Sequence, residues 1–456
     1  MAYNTAFGFK SYIQFCKQAS WTAAFVDLSL TASRGQKLEL ISWNVNQQSN
    51  IIDDNSLYSG ISRRGSFQGG QVWKGTFVTR LNYEGLEELF RAIGNQYDSF
   101  SSVGSGLGSG NGVNAAVLDH VFTEATALGS LYIEVGLGGV DDTTKVFRIT
   151  NAKVVGVTIK GTAGTGTDAL LTAEWTVLGK DMISLQTPGA ATTLKLSTLS
   201  TPCTAATTAG TSVLTLSGSG DLTSQLAIGQ VINGDPTTTA FTAITPGAVV
   251  AARTSATSIR MSLASLASVS AKDFFFSLPD TPSVSPVMFH HMGATTGRFN
   301  DGTTADISAG PRLRGFEFSI ECPMSEDRYY FSSLNIDEPL RSDFQKVMFK
   351  LTQEFNTVAQ YNAARSFTTG TVQMEFIDPL GPIYSGGGTI DDARQIQFKA
   401  PTCKLTDFSA PVNSYGIILS TATWSAYQTT GVFSSGATQR NGGYFVRIRN
   451  ARAALA

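Results

Sequence analysis

The chain has 456 residues, 15 % of them charged and 42 % hydrophobic, and its 33 Lys+Arg against 35 Asp+Glu leave a net charge of −2. That apolar content supplies a core and excludes wholesale disorder. The near balance of charge excludes a protein that grips phosphates through a broadly basic face, and three His with four scattered Cys leave little for a metal centre or a disulfide scaffold.

At roughly 150 residues per domain, the length predicts about three domains. The first ten residues lack the basic and apolar regions of a secretory signal. No apolar stretch approaches the roughly 20 residues of a membrane-spanning helix. Cys16, Cys203, Cys322 and Cys403 form no Cys-x-x-Cys pair and read as buried or half-buried thiols made in a reducing cytoplasm.

Along the chain, Leu38 to Val45 alternates so that Ile41, Trp43 and Val45 share one face of a strand. Leu131 to Val135, Val146 to Ile149 and Phe316 to Ile320 keep the same period of two, the pattern of antiparallel sheets with one buried and one wet face. Tyr83 to Ile93 differs, because Leu86, Leu89, Phe90 and Ile93 form a helical apolar stripe. Asn82 is its expected N-cap, Glu84 and Glu87 favour its N-terminal end, and Gly94 is placed to close it. Gly104, Gly106, Gly108 and Gly110, within Ser99 to Asn114, miss the Gly-x-Gly-x-x-Gly spacing and read as a mobile loop.

The chain also repeats itself. Thr76 to Asn82 followed by the helix is matched by Lys350 to Asn356 followed by Thr357 to Arg365, where Val358, Tyr361 and Ala364 recur every three residues. Ile52-Asp53-Asp54 matches Ile336-Asp337-Glu338, and Leu131 to Val135 matches Val372 to Phe376. Ala152-Lys153-Val154 matches Cys403-Lys404-Leu405, and Thr172-Ala173-Glu174-Trp175 matches Thr421-Ala422-Thr423-Trp424. Five landmarks in one order predict a duplication. The segment between the copies is rich in Thr, Ser and Ala, with short strands at Ser212 to Leu216 and Ser258 to Leu263. The predicted division is residues 1–187, an inserted β-rich module at 188–283, and 284–456.

Chemistry is hard to find. His120 stands alone, and His290-His291, read as an extended dipeptide, would point to opposite faces and fail to chelate one ion. Asp141-Asp142 and Asp391-Asp392 lie in Gly-rich turns and read as backbone caps. No nucleophile elbow or Walker loop occurs. No catalytic residue, cofactor or metal site is assigned, and the expectation is a protein that is not an enzyme.

In overall pattern, the order and duplication of these β units resemble the major tail (tail tube) proteins of long, non-contractile-tailed bacteriophages, in their two-copy type. The quoted features are the Ile52-Asp53-Asp54 loop, the strand–helix unit ending Leu89-Phe90-Arg91-Ala92-Ile93-Gly94, and Phe316 to Ile320 followed by Ile336-Asp337-Glu338-Pro339-Leu340-Arg341. The resemblance implies a mainly β fold of two tandem tail-tube sandwich or barrel domains, each with one packed helix, plus the inserted all-β module on the outside. It implies a structural protein of the virion tail, made in the host cytoplasm, whose rings stack into the conduit for DNA ejection. Two units per chain imply that three chains close a pseudo-sixfold ring. Expected ring-stacking residues are Asp53, Asp54, Arg63, Arg64, Asp337, Glu338 and Arg341. Implied partners are further copies of the chain, tape-measure, tail terminator and tail-tip proteins, and duplex DNA that passes without specific binding. A phage receptor-binding protein and a secretion-system tube component are the alternatives.

Overall fold

The structure is a computed structural model that describes residues 11–18, 20–21, 36–53, 66–99, 118–137, 146–164, 169–185, 199–217, 231–234, 239–245, 248, 250–255, 257–277, 286–292, 299–302, 313–330, 333–355, 358–382, 393–412, 417–435 and 438–450. The Gly-rich stretch after Ser99, Asp54, Arg63, Arg64, both Asp-Asp pairs and the predicted boundaries at 187/188 and 283/284 lie outside them. The fold is mainly β. The first part carries β1 (Tyr12–Gln18), β2 (Gln36–Asp53), β3 (Ser66–Arg80), α1 (Glu87–Ile93), β4 (Gly94–Ser99), β5 (Leu118–Glu124), β6 (Ser130–Gly136), β7 (Val146–Thr162) and β8 (Thr172–Leu185). The middle carries β9 (Leu199–Thr207), β10 (Val213–Leu216), β11 (Val231–Gly234), α2 (Ala240–Ala243), β12 (Val250–Ser255), β13 (Ser258–Met261) and β14 (Val269–Ser277). The last part carries β15 (Phe299–Asp301), β16 (Leu313–Glu321), β17 (Lys346–Glu354), α3 (Ala359–Ser366), β18 (Thr369–Pro382), β19 (Ala393–Ser409), β20 (Leu419–Ala426), β21 (Thr429–Ser435), β22 (Thr438–Gly442) and β23 (Phe445–Asn450).

In the first part, antiparallel pairings run β1–β2, β2–β3, β3–β8, β8–β7, β7–β6 and β6–β1, returning to their start. Closing the ladder this way leaves fewer raw edges. In the last part, β16–β17, β17–β20, β20–β19, β19–β18 and β18–β15 follow the same succession. The tryptophans set the correspondence: Phe77 and Val157 flank Trp175, as Phe349 and Leu405 flank Trp424. This register makes Val154 the counterpart of Cys403, and Thr79 that of Leu351. It differs from the sequence matching by up to three residues, of which the single-residue bulges at different places in β7 and β19 account for one. A further consequence appears at the indoles. Trp175 Nε1 donates to the Thr79 hydroxyl at 3.1 Å, whereas Leu351 offers no acceptor and the buried Trp424 Nε1 is left without one among the described residues.

The two parts share strands. Along the edge of β7 facing away from β8, Val146 to Ala152 bonds β6 and Gly156 to Thr162 bonds β16. The hairpin of β4 and β5 continues onto β23, so a single sheet of 15 strands crosses both parts. One apolar core follows it, from Ile13, Phe77 and Trp175 through Phe318 and Phe398 to Trp424. The middle segment is separate in both respects. Its six strands form their own sheet, ordered β11-β14-β9-β10-β13-β12, over their own core of Leu214, Ile232, Ile259, Met261 and Phe274.

Several local expectations change. The helix occupies only Glu87–Ile93, its N-cap position is Leu86, and Asn82 instead bridges Pro286. Gly94 follows with extended backbone and opens β4. A bulge between Leu40 and Ser42 turns Ile41 outward, so it is 48 % exposed while Val45 is buried. β6, paired with β1 and β7 on its two edges, is buried on both faces along its whole length. In α3 two of the three predicted stripe residues, Val358 and Tyr361, are exposed, Ala364 packs partly against the core, and Gln360 and Ala363 are the buried residues. Cys322 and Cys403 are buried and free, and burial pushes their thiols up, to about 11 and about 12.

Candidate functional site

The residues singled out for assembly fall on two equivalent connections, β2 to β3 and β16 to β17. Asp53 ends β2 opposite Ser66, and the other three members of the first connection lie outside the described residues. The second connection, Cys322 to Gln345, lies across the first part of the chain. Cys322 N–H donates to the Val155 carbonyl at 2.7 Å, Gln71 N–H to the Leu334 carbonyl at 2.8 Å, and Ile336 N–H to the Gln71 carbonyl at 3.2 Å. Ile336 is buried against Trp21, Val72 and Leu178, with Met324 and Tyr329 beside them.

The charged residues reinforce that docking. Glu338 Oε1 sits 2.7 Å from Lys153 Nζ, whose ammonium also donates to the Leu128 carbonyl at 3.2 Å and lies over the Trp21 ring. Arg341 Nη2 donates to the Ala125 carbonyl at 2.5 Å. Asp337 is 3.9 Å from Arg328, within the same connection. Lys74 and Glu326 form a further pair between the parts. Asp337, Glu338 and Arg341 are thus engaged within one chain, two of them as fasteners between its parts.

A node that the sequence did not advertise lies deeper. Arg394 on β19 is fully buried. Its Nε meets Glu84 Oε1 at 2.9 Å, its Nη1 meets Asp378 Oδ2 at 3.1 Å, and its Nη2 reaches the Ser262 carbonyl. Glu84 belongs to the first part, Asp378 to the last and Ser262 to the middle segment, so one guanidinium ties all three together. Its planar fork of donors suits that task. No local motif marks it, because the partners lie as far as 310 residues apart.

Next to this node, His290 and His291 occupy a 3-10 turn, Phe289–Met292, with ring centroids 4.7 Å apart. They are not on a strand, so the expectation of opposite faces does not hold. Nδ1 of His291 accepts from the Tyr83 hydroxyl at 2.9 Å and the Met288 N–H at 3.4 Å, which places the ring proton on Nε2. Burial, then the neighbouring His290, pushes His291 down to about 4, with Asp378 pulling the other way. Its unfolded value is near 6.5. Between those values the unfolded chain binds more protons, so stability falls as pH drops from about 6.5 towards 4, by up to about 3 kcal/mol. Urea midpoints at pH 7 and pH 4.5 will show this loss, and His291→Gln will flatten it. Equal losses in both proteins would discard the assignment.

Among the described residues, no group of three His, Cys, Asp or Glu side chains converges as a metal site, and no helix is long and apolar enough to cross a membrane. A groove of about 530 Å³ in the middle segment is lined by Thr207, Thr208, Thr211, Thr215, Ser268 and small aliphatic residues, without a titratable group. No protein-family model matches the chain, and no curated protein matches it.

Proposed function

We propose that the chain is a structural protein of a long phage tail, polymerising as stacked rings into the tail tube through which DNA is ejected. The observation that carries this reading is the repeated pairing order, with the leading long strand of the second unit bonded onto β7 of the first. Two alike units joined edge to edge make an arc, and further copies can extend the same join until it closes. Three chains per ring, giving pseudo-sixfold symmetry, follow if each unit occupies one sixth of the circle. Such a wall presents paired backbone and mixed-sign side chains, which suits a bore that duplex DNA must pass without binding.

Within this reading, the connection from Cys322 to Gln345 fastens neighbouring units around the ring. By the same repeat, Asp53, Asp54, Arg63 and Arg64 on the equivalent connection would fasten one chain to the next around the ring. The middle segment, with its own sheet and core, decorates the outside. Ends of the tube would meet tail terminator, tape-measure and tip proteins.

Negative-stain electron microscopy of the purified chain at rising concentration tests the reading. Hollow tubes of uniform width, or rings with threefold or pseudo-sixfold symmetry, are the expected result. A monodisperse compact spike at every concentration would overturn it in favour of a receptor-binding role.

A further inference from the structure

The bond ladder between β7 and β16 has a counterpart that the chain leaves open at both of its ends. On β7, the segment after the bulge pairs with β16 so that Ile159 faces Phe318, Thr158 faces Ser319 and Val157 faces Ile320. By the tryptophan register, Val157, Thr158, Ile159 and Lys160 correspond to Leu405, Asp407, Phe408 and Ser409 of β19. On that edge of β19, β18 reaches only as far as Lys404. From Leu405 to Ser409 no described strand pairs with it, while β20 fills the opposite edge. Similarly, Glu317, Phe318, Ser319 and Ile320 of β16 correspond to Ser42, Trp43, Asn44 and Val45 of β2. Those residues bond β3 on one edge. Beside them, β1 pairs only with Gln36 to Glu39, and Ser42 to Val45 have no second strand among the described residues.

We infer that Leu405 to Ser409 of one chain pairs antiparallel with Ser42 to Val45 of a second copy, repeating between chains the ladder that β7 and β16 form within one. The register sets Ser42 opposite Ser409, Trp43 opposite Phe408, Asn44 opposite Asp407 and Val45 opposite Leu405. Side-chain character agrees along its length. The buried Ile159–Phe318 and Val157–Ile320 contacts become Phe408–Trp43 and Leu405–Val45, with polar residues between them in both ladders. The vacancy extends to the helices. Inside the chain, α1 is covered by the last part, with Phe398 tilted against Phe90 and Asn450 bonded to Glu87. Its counterpart α3 has no such cover among the described residues: Val358, Tyr361 and Phe367 are exposed, and the Tyr361 ring meets Phe408 edge-on. A second copy seated on this edge supplies that cover. An unpaired, partly apolar edge of this kind is what sheets use to recruit a further strand. The inference rests on the tail-tube reading for its biological setting, and on strand register alone for its geometry.

Disulfide trapping tests it. Directly opposed antiparallel residues bring Cβ atoms to about 5 Å, within reach of a disulfide after slight adjustment. The full-length double variant Asn44→Cys/Asp407→Cys, oxidised at high protein concentration, is expected to convert most of the protein to covalently linked multimers on a non-reducing gel. Thr158→Cys/Ser319→Cys, the same pair inside the chain, is expected to close without changing the mass and calibrates the geometry. Gln48→Cys/Asp407→Cys, out of register by four residues, is expected to stay unlinked. Failure of the Asn44–Asp407 bond while the internal pair closes would overturn the inference, as would equal linkage of the out-of-register pair. Tubes seen without that bond would leave the tube reading standing and remove this edge. Linked rings that never stack would keep the edge and remove the tube.

Discussion

Replacing Arg394 with methionine is expected to cost about 3–5 kcal/mol of folding stability, because it removes the buried cation that both the Glu84 and the Asp378 carboxylates meet. Equilibrium denaturation in urea, followed by tryptophan fluorescence, measures it. Lysine at the same position offers one compact ammonium in place of a fork and should recover only a fraction. The informative companion is the triple variant Arg394→Met/Glu84→Gln/Asp378→Asn, which removes the stranded charges along with the cation and should regain much of the loss. A single variant within 1 kcal/mol of the parent would show that the three segments do not depend on this node.

The second large effect is expected at Phe90. Its ring meets Trp175 edge-on at 5.2 Å, stacks near Phe122 at 5.9 Å and tilts against Phe398 of the last part at 6.4 Å. Phe90→Ala should cost about 3–5 kcal/mol, the transfer loss plus an unfilled cavity among rings held by three strands. Because Phe398 loses a neighbour too, the two parts should also lose cooperativity, seen as a broadened or split denaturation curve. Phe90→Leu, which keeps most of the volume, should lose much less. A sharp transition displaced by under 1 kcal/mol in the alanine variant would mean that the cavity collapses and the parts are held elsewhere.

The legible portions of this fold are those set by nearest neighbours in the chain. The stripe of Leu86, Leu89, Phe90 and Ile93 is apolar on one side because it lies on a sheet, and it is buried as its spacing requires. The Thr-Ala-x-Trp strands announce the repeat because each holds the same place between two strands. Other signals misled for physical reasons. Ile41 alternates correctly with Trp43 in sequence, but one bulged residue reverses its side. Val358 and Tyr361 carry a helical period, yet both stay exposed among the described residues while Gln360 and Ala363 are buried. Glu338 and Arg341 look like solvated loop charges, yet the connection that bears them folds back onto the first part. Arg394 was invisible, since nothing within its own strand distinguishes a structural guanidinium from a surface one.

The double use of β7 limits how the molecule can deform. A chain whose units were joined by a flexible tether could swivel at the tether while leaving each unit intact. Here the same backbone belongs to both units, and rotation of one against the other would break in-register bonds from Gly156 to Thr162 together. Any flexing of a filament made from such subunits must therefore be taken up at contacts stacked along its axis, leaving the circumference stiff and the inner diameter constant as it curves.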